Sequence, residues 1–348
     1  MANILVIRQN AYPIDPRVRR EVRALLSEGH EVDVFCTRRP GERLVERHGS
    51  LRVLRVPLFH RRGGTPGYLL EYLIFLCAAT VAAGLLHLRR RYRLVQVHTL
   101  PDALVFTALI PRLLGARVLL DLHECMPEFF ASKFGVGHGH PAFRVLAAVE
   151  QAAIRFADRA ITCTDQMRDV FVGRGARKDA IDVILNSSEE EVFDPARCGN
   201  RERRPGFTVL CHGAIEDRYG LDTAIRAVAL LAPEIPDLRL EIRGEGSQVE
   251  ALRALAASSG VQDRVEFRVG YGPVEELVAA VARADAGLVA VKRDPFRDLT
   301  QCNKMYDFIA MCRPAIVSRT KSVQAYFDES TFAWFDSGDA RDLARAIR

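Results

Sequence analysis

Lys304 and Asp307 stand three residues apart in the stretch NKMYDFIAMCRPAIVS, residues 303–318. On a helix these two side chains share one face. Together they offer a cation for a diphosphate and a carboxylate that can accept from two ribose hydroxyls. A helix start at Asn303 would add unpaired N–H groups and the positive end of a dipole, a favourable place for phosphate. Spacing alone equally describes a solvated ion pair, which is common on helix surfaces. Gly213 after an apolar run would let backbone N–H groups approach a ligand, and Arg218 could pair with a diphosphate. His98 and His123 each follow an apolar run, at the sheet edge where α/β proteins place chemistry, although a lone histidine there often serves packing only. Asp15 is a plausible cap near a helix start.

These side chains need elements to hold them. Apolar runs at 286–291 and 315–318 flank Asn303, giving the strand, loop, helix, strand order of a βαβ unit. The first loop of such a unit opens at the carboxyl edge of a parallel sheet. The same reading predicts strands at 4–7, 31–36, 94–97, 118–120, 159–163, 181–185, 208–211, 238–242 and 265–269. Helices are predicted at 17–27, 104–114, 145–157, 164–172, 223–231, 248–258, 274–282 and 340–347, with Pro111 kinking or shortening the second. The class is α/β, without the G-x-G-x-x-G fingerprint of a dinucleotide dehydrogenase. A polar, irregular stretch at 197–205 marks a boundary, and we divide the chain into 1–188 and 189–348.

A length of 348 residues exceeds one usual core, and 49% hydrophobic with 27% charged residues describes a globular chain. The net charge of +5 is mild, and no Cys/His cluster or aromatic RNA-binding motif points to nucleic acid. Eight scattered cysteines lack ligand-like spacing, and Met1 runs almost directly into an apolar strand without a secretory signal. We therefore expect reduced thiols in a cytoplasmic enzyme. Residues 68–88 are apolar except for Glu71 and His87, and Arg89, Arg90, Arg91 and Arg93 follow. That length can span a bilayer. The charge inside it and the sheet pattern after it favour a core helix or one lying on an anionic membrane surface.

The stretch 303–318 resembles the N-K-x-F-E-Y-x-A-x-G-x-P-V-V-x-S run of retaining glycosyltransferases of the GT-B fold, family 4. It matches at Asn303, Lys304, Ala310, Pro314 and Ser318, with Asp307 in place of Glu. Similar resemblances cover nearly the whole chain. HGAIEDRYGLD (212–222) resembles the family's phosphate loop, with Gly213 and Arg218 in place. Gly244 and Gly246 hold its G-x-G position, and 269–272, with Tyr271, the stretch that meets the nucleobase. Tyr12, Asp15, Arg17 and Glu21 match its acceptor-side opening. His98 with Asp102, and Asp121, His123, Glu124 and Glu128, match its two histidine runs.

The resemblance implies two Rossmann-like domains facing across a cleft, and sugar transfer with retention from a UDP- or GDP-linked donor to a glycan or lipid-linked acceptor. The setting it implies is polysaccharide or lipopolysaccharide assembly. It places His123 by the transferred sugar, polarising the reacting centre, and Arg218 and Lys304 on the diphosphate. No cofactor or metal is expected, since no D-x-D triplet occurs. Two positions depart from the family: Leu299 stands where an acid often contacts the sugar, and Ala214 where an arginine often follows the phosphate-loop glycine. Relatives continue beyond the helix at 340–347, so an early or altered ending is expected. A nucleotide-sugar epimerase, which shares the architecture, and an inactive membrane-surface scaffold are the alternative readings.

Overall fold

A computed structural model describes residues 1–58, 65–198, 206–270 and 272–348. The chain divides into two compact units, Met1–Leu185 and Asn186–Arg348, each built on its own sheet. The division falls before the expected boundary at 188 for a local reason. The Asn186 amide donates to the Gln301 carbonyl at 3.1 Å, and the Ser188 hydroxyl to Asp307 Oδ1 at 2.7 Å, so these residues belong to the second unit.

In the first unit the strands are β1 (Asn3–Ala11), β2 (Glu31–Thr37), β3 (Val45–His48), β4 (Leu51–Val56), β5 (Leu94–His98), β6 (Arg117–Leu122), β7 (Arg159–Thr162) and β8 (Ile181–Val183). Their order is β3-β4-β2-β1-β5-β6-β7-β8, parallel except for β3 against β4. Ile4, Leu5, Val6 and Ile7 of β1 are all buried, as a strand covered on both faces requires. The sheet builds outward in both directions from the β1–β5 pair, so the loops after β1 and β5 diverge there and leave a crevice at the carboxyl edge. The β3–β4 hairpin escaped the sequence reading because β3 is a largely exposed edge of glutamate, arginine and histidine, and the arginines of β4, Arg55 among them buried, interrupt its apolar residues. The single helix predicted at 104–114 is instead a 3₁₀ segment, Asp102–Ala108, followed by a short helix, Leu109–Leu113. Pro111 has no N–H for the carbonyl four residues back, which favours the break.

The apolar stretch forms one helix, Thr65–Arg90. Glu71, Phe75, Ala79, Ala83 and His87, four residues apart in turn, are buried against the unit. Leu70, Leu73, Ile74, Val81, Leu85 and Leu88 are exposed. Over Leu70–Arg90 it is long and apolar enough to cross a membrane by length and composition.

The second unit carries β9 (Phe207–His212), β10 (Leu238–Gly244), β11 (Val265–Val269), β12 (Ala286–Val289), β13 (Ala315–Ser318) and β14 (Ala333–Phe335), all parallel in the order β11-β10-β9-β12-β13-β14. One face packs on helices Leu221–Leu231, Val249–Ser258 and Ala340–Ile347, the other on Val274–Arg283 and Asn303–Ala310. Its switch point lies between β9 and β12, and the loops that follow those two strands carry most of the predicted donor-side residues. The cysteines at 36, 77, 125, 163, 211, 302 and 312 are free thiols.

Candidate active site

Helix Asn303–Ala310 begins after Cys302 without a side-chain cap, which leaves its first N–H groups for other acceptors. Its first turn carries Lys304, whose Nζ lies 3.8 Å from the centre of the Tyr219 ring. The Arg218 guanidinium lies 5.4 Å from the same centre and Arg297 at 5.2 Å. Sequence reading had named Lys304 and Arg218 but not Arg297, which matches no motif in the loop between β12 and the helix. Burial pulls the Lys304 ammonium pKa down, and the charges of Arg297 and Arg218 act in the same direction. The Nε atoms of Arg218 and Arg297 and Oδ1 of Asn303 are buried without a hydrogen-bond partner.

Asp307 follows one turn on. Its Oδ1 accepts from Ser188, and its Oδ2 lies 3.7 Å from His212 Nε2. Burial, and then the Lys304 charge, lower the His212 pKa to about 3, so this ring is neutral at pH 7 and the contact is not an ion pair. Gly213 (φ +99°) lies against Lys304; a Cβ there would sit 2.5 Å from Lys304 Cε. Gly244 and Gly246 serve a purpose that sequence reading did not assign. A Cβ on Gly244 would come within 1.8 Å of the Gly213 carbonyl, and one on Gly246 within 2.1 Å of the Ile215 carbonyl. Both glycines therefore let the loops after β9 and β10 touch, through Gly213 N–H to the Arg243 carbonyl and Ile215 N–H to the Glu245 carbonyl, each at 2.8 Å. Beside this contact opens a cleft of about 810 Å³, lined by His212, Gly213, Gly244, Arg268, Val269 and Gly270 among others. Tyr271, predicted to meet the base, lies outside the described residues.

The first unit gathers a second set of groups at its own switch point. His98 ends β5 and His123 follows β6. The carboxylate of Asp121, on β6, lies 2.8 Å from His98 Nδ1 and 2.6 Å from His123 Nε2, and the two nitrogens are 3.1 Å apart. Burial would raise the Asp121 pKa, but the two imidazoles hold it well below the carboxylate range. An ionised Asp121 makes both facing nitrogens N–H donors. That leaves His123 Nδ1 and His98 Nε2 as acceptors, both buried without a hydrogen-bond partner. Burial lowers His123 to about 4 against the pull of Asp121. A neutral His123 has an Nδ1 that can accept a hydrogen bond. The same two imidazoles and carboxylate could also ligate a cation, and among the described residues they are the group so placed. The two nitrogen–carboxylate separations are already those of direct hydrogen bonds, which account for the cluster.

Around it, Asp15 pairs with Arg8 at 3.2 Å and Arg17 at 3.3 Å, and its Oδ2 is 3.8 Å from His123 Nδ1. Burial opposes the Asp15 charge, yet Arg17, His123 and Arg8 lower its pKa overall. The Glu124 charge also favours the charged forms of Arg8 and Arg17. Glu21 lies 3.8 Å from His98 Nε2, and burial beside the Asp121 charge raises it to about 9. Tyr12 is buried, packed with Val18 and Val22. Glu128 is paired with Arg174.

Comparison with known proteins places this geometry. Residues 14–187 match the family described as glycosyl transferase 4-like domain, and 206–348 match glycosyl transferases group 1. The chain belongs to the group 1 glycosyltransferases. Among relatives, the 2-deoxystreptamine glucosyltransferase of Streptomyces kanamyceticus is 28% identical over 78% of this chain and 73% of its own. The D-inositol 3-phosphate glycosyltransferase of Acidothermus cellulolyticus is 29% identical over 80% of this chain and 65% of its own. In structure, the sucrose-phosphate synthase of Thermosynechococcus elongatus gives a TM-score of 0.74 at 21% identity, over 100% of this chain and 89% of that one. The catalytic domain of Arabidopsis thaliana starch synthase IV, bound to ADP and acarbose, gives 0.72 at 12% identity over 99% and 90%. The architecture of this glycosyltransferase is thus GT-B, an α/β fold of two parallel-sheet domains.

Proposed function

We propose that this glycosyltransferase moves a hexosyl or N-acetylhexosaminyl group from a UDP- or GDP-linked donor to a glycan or lipid-linked acceptor, with retention of anomeric configuration. One observation carries the donor side. Arg218 and Lys304 converge on Tyr219, and among the described residues neither is ion-paired, at a helix start with uncapped N–H groups. A diphosphate is the anion that such a site suits, and Asp307 one turn on would take the ribose hydroxyls. Charge on the departing diphosphate grows in the transition state, so positive groups already fixed there lower the barrier as well as bind. These side chains supply the neutralising charge, and no cofactor is invoked. In the first unit, neutral His123 would accept from a sugar hydroxyl, and Asp121 would fix its tautomer. Resemblance supports retention; no side chain is assigned as nucleophile.

The acceptor reading draws on the outward face of helix Thr65–Arg90. Its exposed leucines and valine, with Leu109 and Leu113 of the neighbouring short helix, suit a lipid surface. Arg89, Arg91 and Arg93 at the helix end are exposed, as contact with anionic headgroups would require. These exposed side chains support a cytoplasmic enzyme lying peripherally on the inner membrane face.

A panel of nucleotide sugars, scored for nucleoside-diphosphate release with and without lipid-linked acceptors, tests the reading, and NMR of the product reports the anomeric configuration. Transfer is expected with one donor class. Conversion of the donor sugar without any acceptor would make this an epimerase, and no binding of any nucleoside diphosphate would sink the enzymatic reading.

A further inference from the structure

Arg297 lies outside every motif, yet it is 8% exposed and its Nε has no hydrogen-bond partner. Its loop is firmly held. Arg297 N–H donates to Asp294 Oδ1 at 2.7 Å, the Ser322 hydroxyl donates to the Thr300 carbonyl at 2.7 Å, and the Gln301 amide to the Ser322 carbonyl at 2.9 Å. Phe296 is 2% exposed, and its ring carries the Arg297 guanidinium at 5.0 Å. The guanidinium therefore has a fixed place, beside Tyr219 with Arg218 and Lys304. Among the described residues no carboxylate pairs with any of the three. The Glu216 charge acts on Arg218 without pairing with it, and gathering three cations that no carboxylate pairs is unfavourable until an anion arrives.

The charge of that anion is informative. In an intact nucleoside-diphosphate sugar each phosphate carries one negative charge. When the sugar leaves, the electron pair of the C–O bond stays on the terminal phosphate oxygen. The acceptor oxygen bonds the sugar carbon and gives its proton to solvent. A terminal phosphate then carries about 1.5 to 2 charges at neutral pH, with its second pKa at about 6. Two cations balance the donor, and three balance the departed diphosphate. Resting on the donor reading above, we propose that Arg297 is the third cation of the diphosphate site, matched to the charge that appears as the glycosidic bond breaks.

Binding of UDP, GDP and inorganic pyrophosphate to the full chain, with Arg297→Gln and Arg297→Lys beside wild type, tests this by calorimetry. Arg297→Gln should weaken the accepted diphosphate at least tenfold and its sugar conjugate less than threefold, and lower kcat at least tenfold with little change in donor KM. Arg297→Lys should restore part of each loss. The wild-type advantage in diphosphate affinity should grow between pH 5.5 and 7.5, as the terminal phosphate takes its second charge, which a packing defect would not reproduce. Equal losses for diphosphate and conjugate, or none, would overturn the inference alone. A wild-type chain that binds none of the three probes would remove the donor reading with it.

Discussion

Lys304 shows why a residue's chemistry is set by its neighbours. Its type and position suggested a phosphate ligand, but spacing could not separate that from a solvated pair with Asp307. The structure does so: Asp307 engages Ser188, and Lys304 sits over Tyr219 with Arg218. Lys304→Ala should lower turnover at least tenfold, about 1.4 kcal/mol of barrier, with an unchanged circular dichroism spectrum; wild-type turnover would remove it from the mechanism. Glu21 makes the complementary case. Its carboxyl is raised to about 9, so between the ordinary carboxylate range and pH 9 the folded chain holds a proton that the unfolded chain releases. Stability from this group is fully present below the unfolded pKa and is lost as pH rises towards 9. Glu21→Gln has the same shape and no proton to lose. Melting temperatures from pH 5 to 9 should show wild type falling relative to the variant, whereas parallel curves would refute the assignment.

At the scale of elements, the two switch points do the positioning. β9 and β12 send their loops to one place, and those loops bring together residues from 213 to 304 that no local pattern joins. Contact between the loops after β9 and β10 needs a missing side chain at Gly244, which also has φ +139°. Gly244→Ala would drive a Cβ into the Gly213 carbonyl. We expect a loss of about 2 kcal/mol or more, read as a fall of roughly 4–8 °C in melting temperature, with donor binding weakened. A variant melting with wild type would show that the loops can separate at no cost. Strands were largely legible because their apolar runs are buried on both faces. The β3–β4 hairpin was not, since an exposed edge needs no apolar pattern. Nor was the 3₁₀ segment Asp102–Ala108, because local propensity does not reveal which turn a proline imposes.

For the whole molecule, the outward face of helix Thr65–Arg90 is the feature with the broadest consequence. Replacing Val81 and Leu85 together by aspartate should abolish sedimentation with phosphatidylglycerol vesicles and leave transfer to a soluble acceptor unchanged, since both side chains are exposed and belong to none of the assigned groups. Retained sedimentation would argue against this face as the contact. Sequence by itself determined the α/β class, the two-part organisation and most of the strands, and the resemblance pointed to Arg218 and Lys304 for the diphosphate. Those follow from periodicity and from motifs that are continuous along the chain. Only tertiary structure decided that Arg297 joins those cations, that Gly244 and Gly246 serve loop contact, that Tyr12 is buried, and that His98 and His123 share the Asp121 carboxylate. Charge balance, steric approach and desolvation depend on groups distant in sequence, and they acquire values only once the sheets bring those groups together.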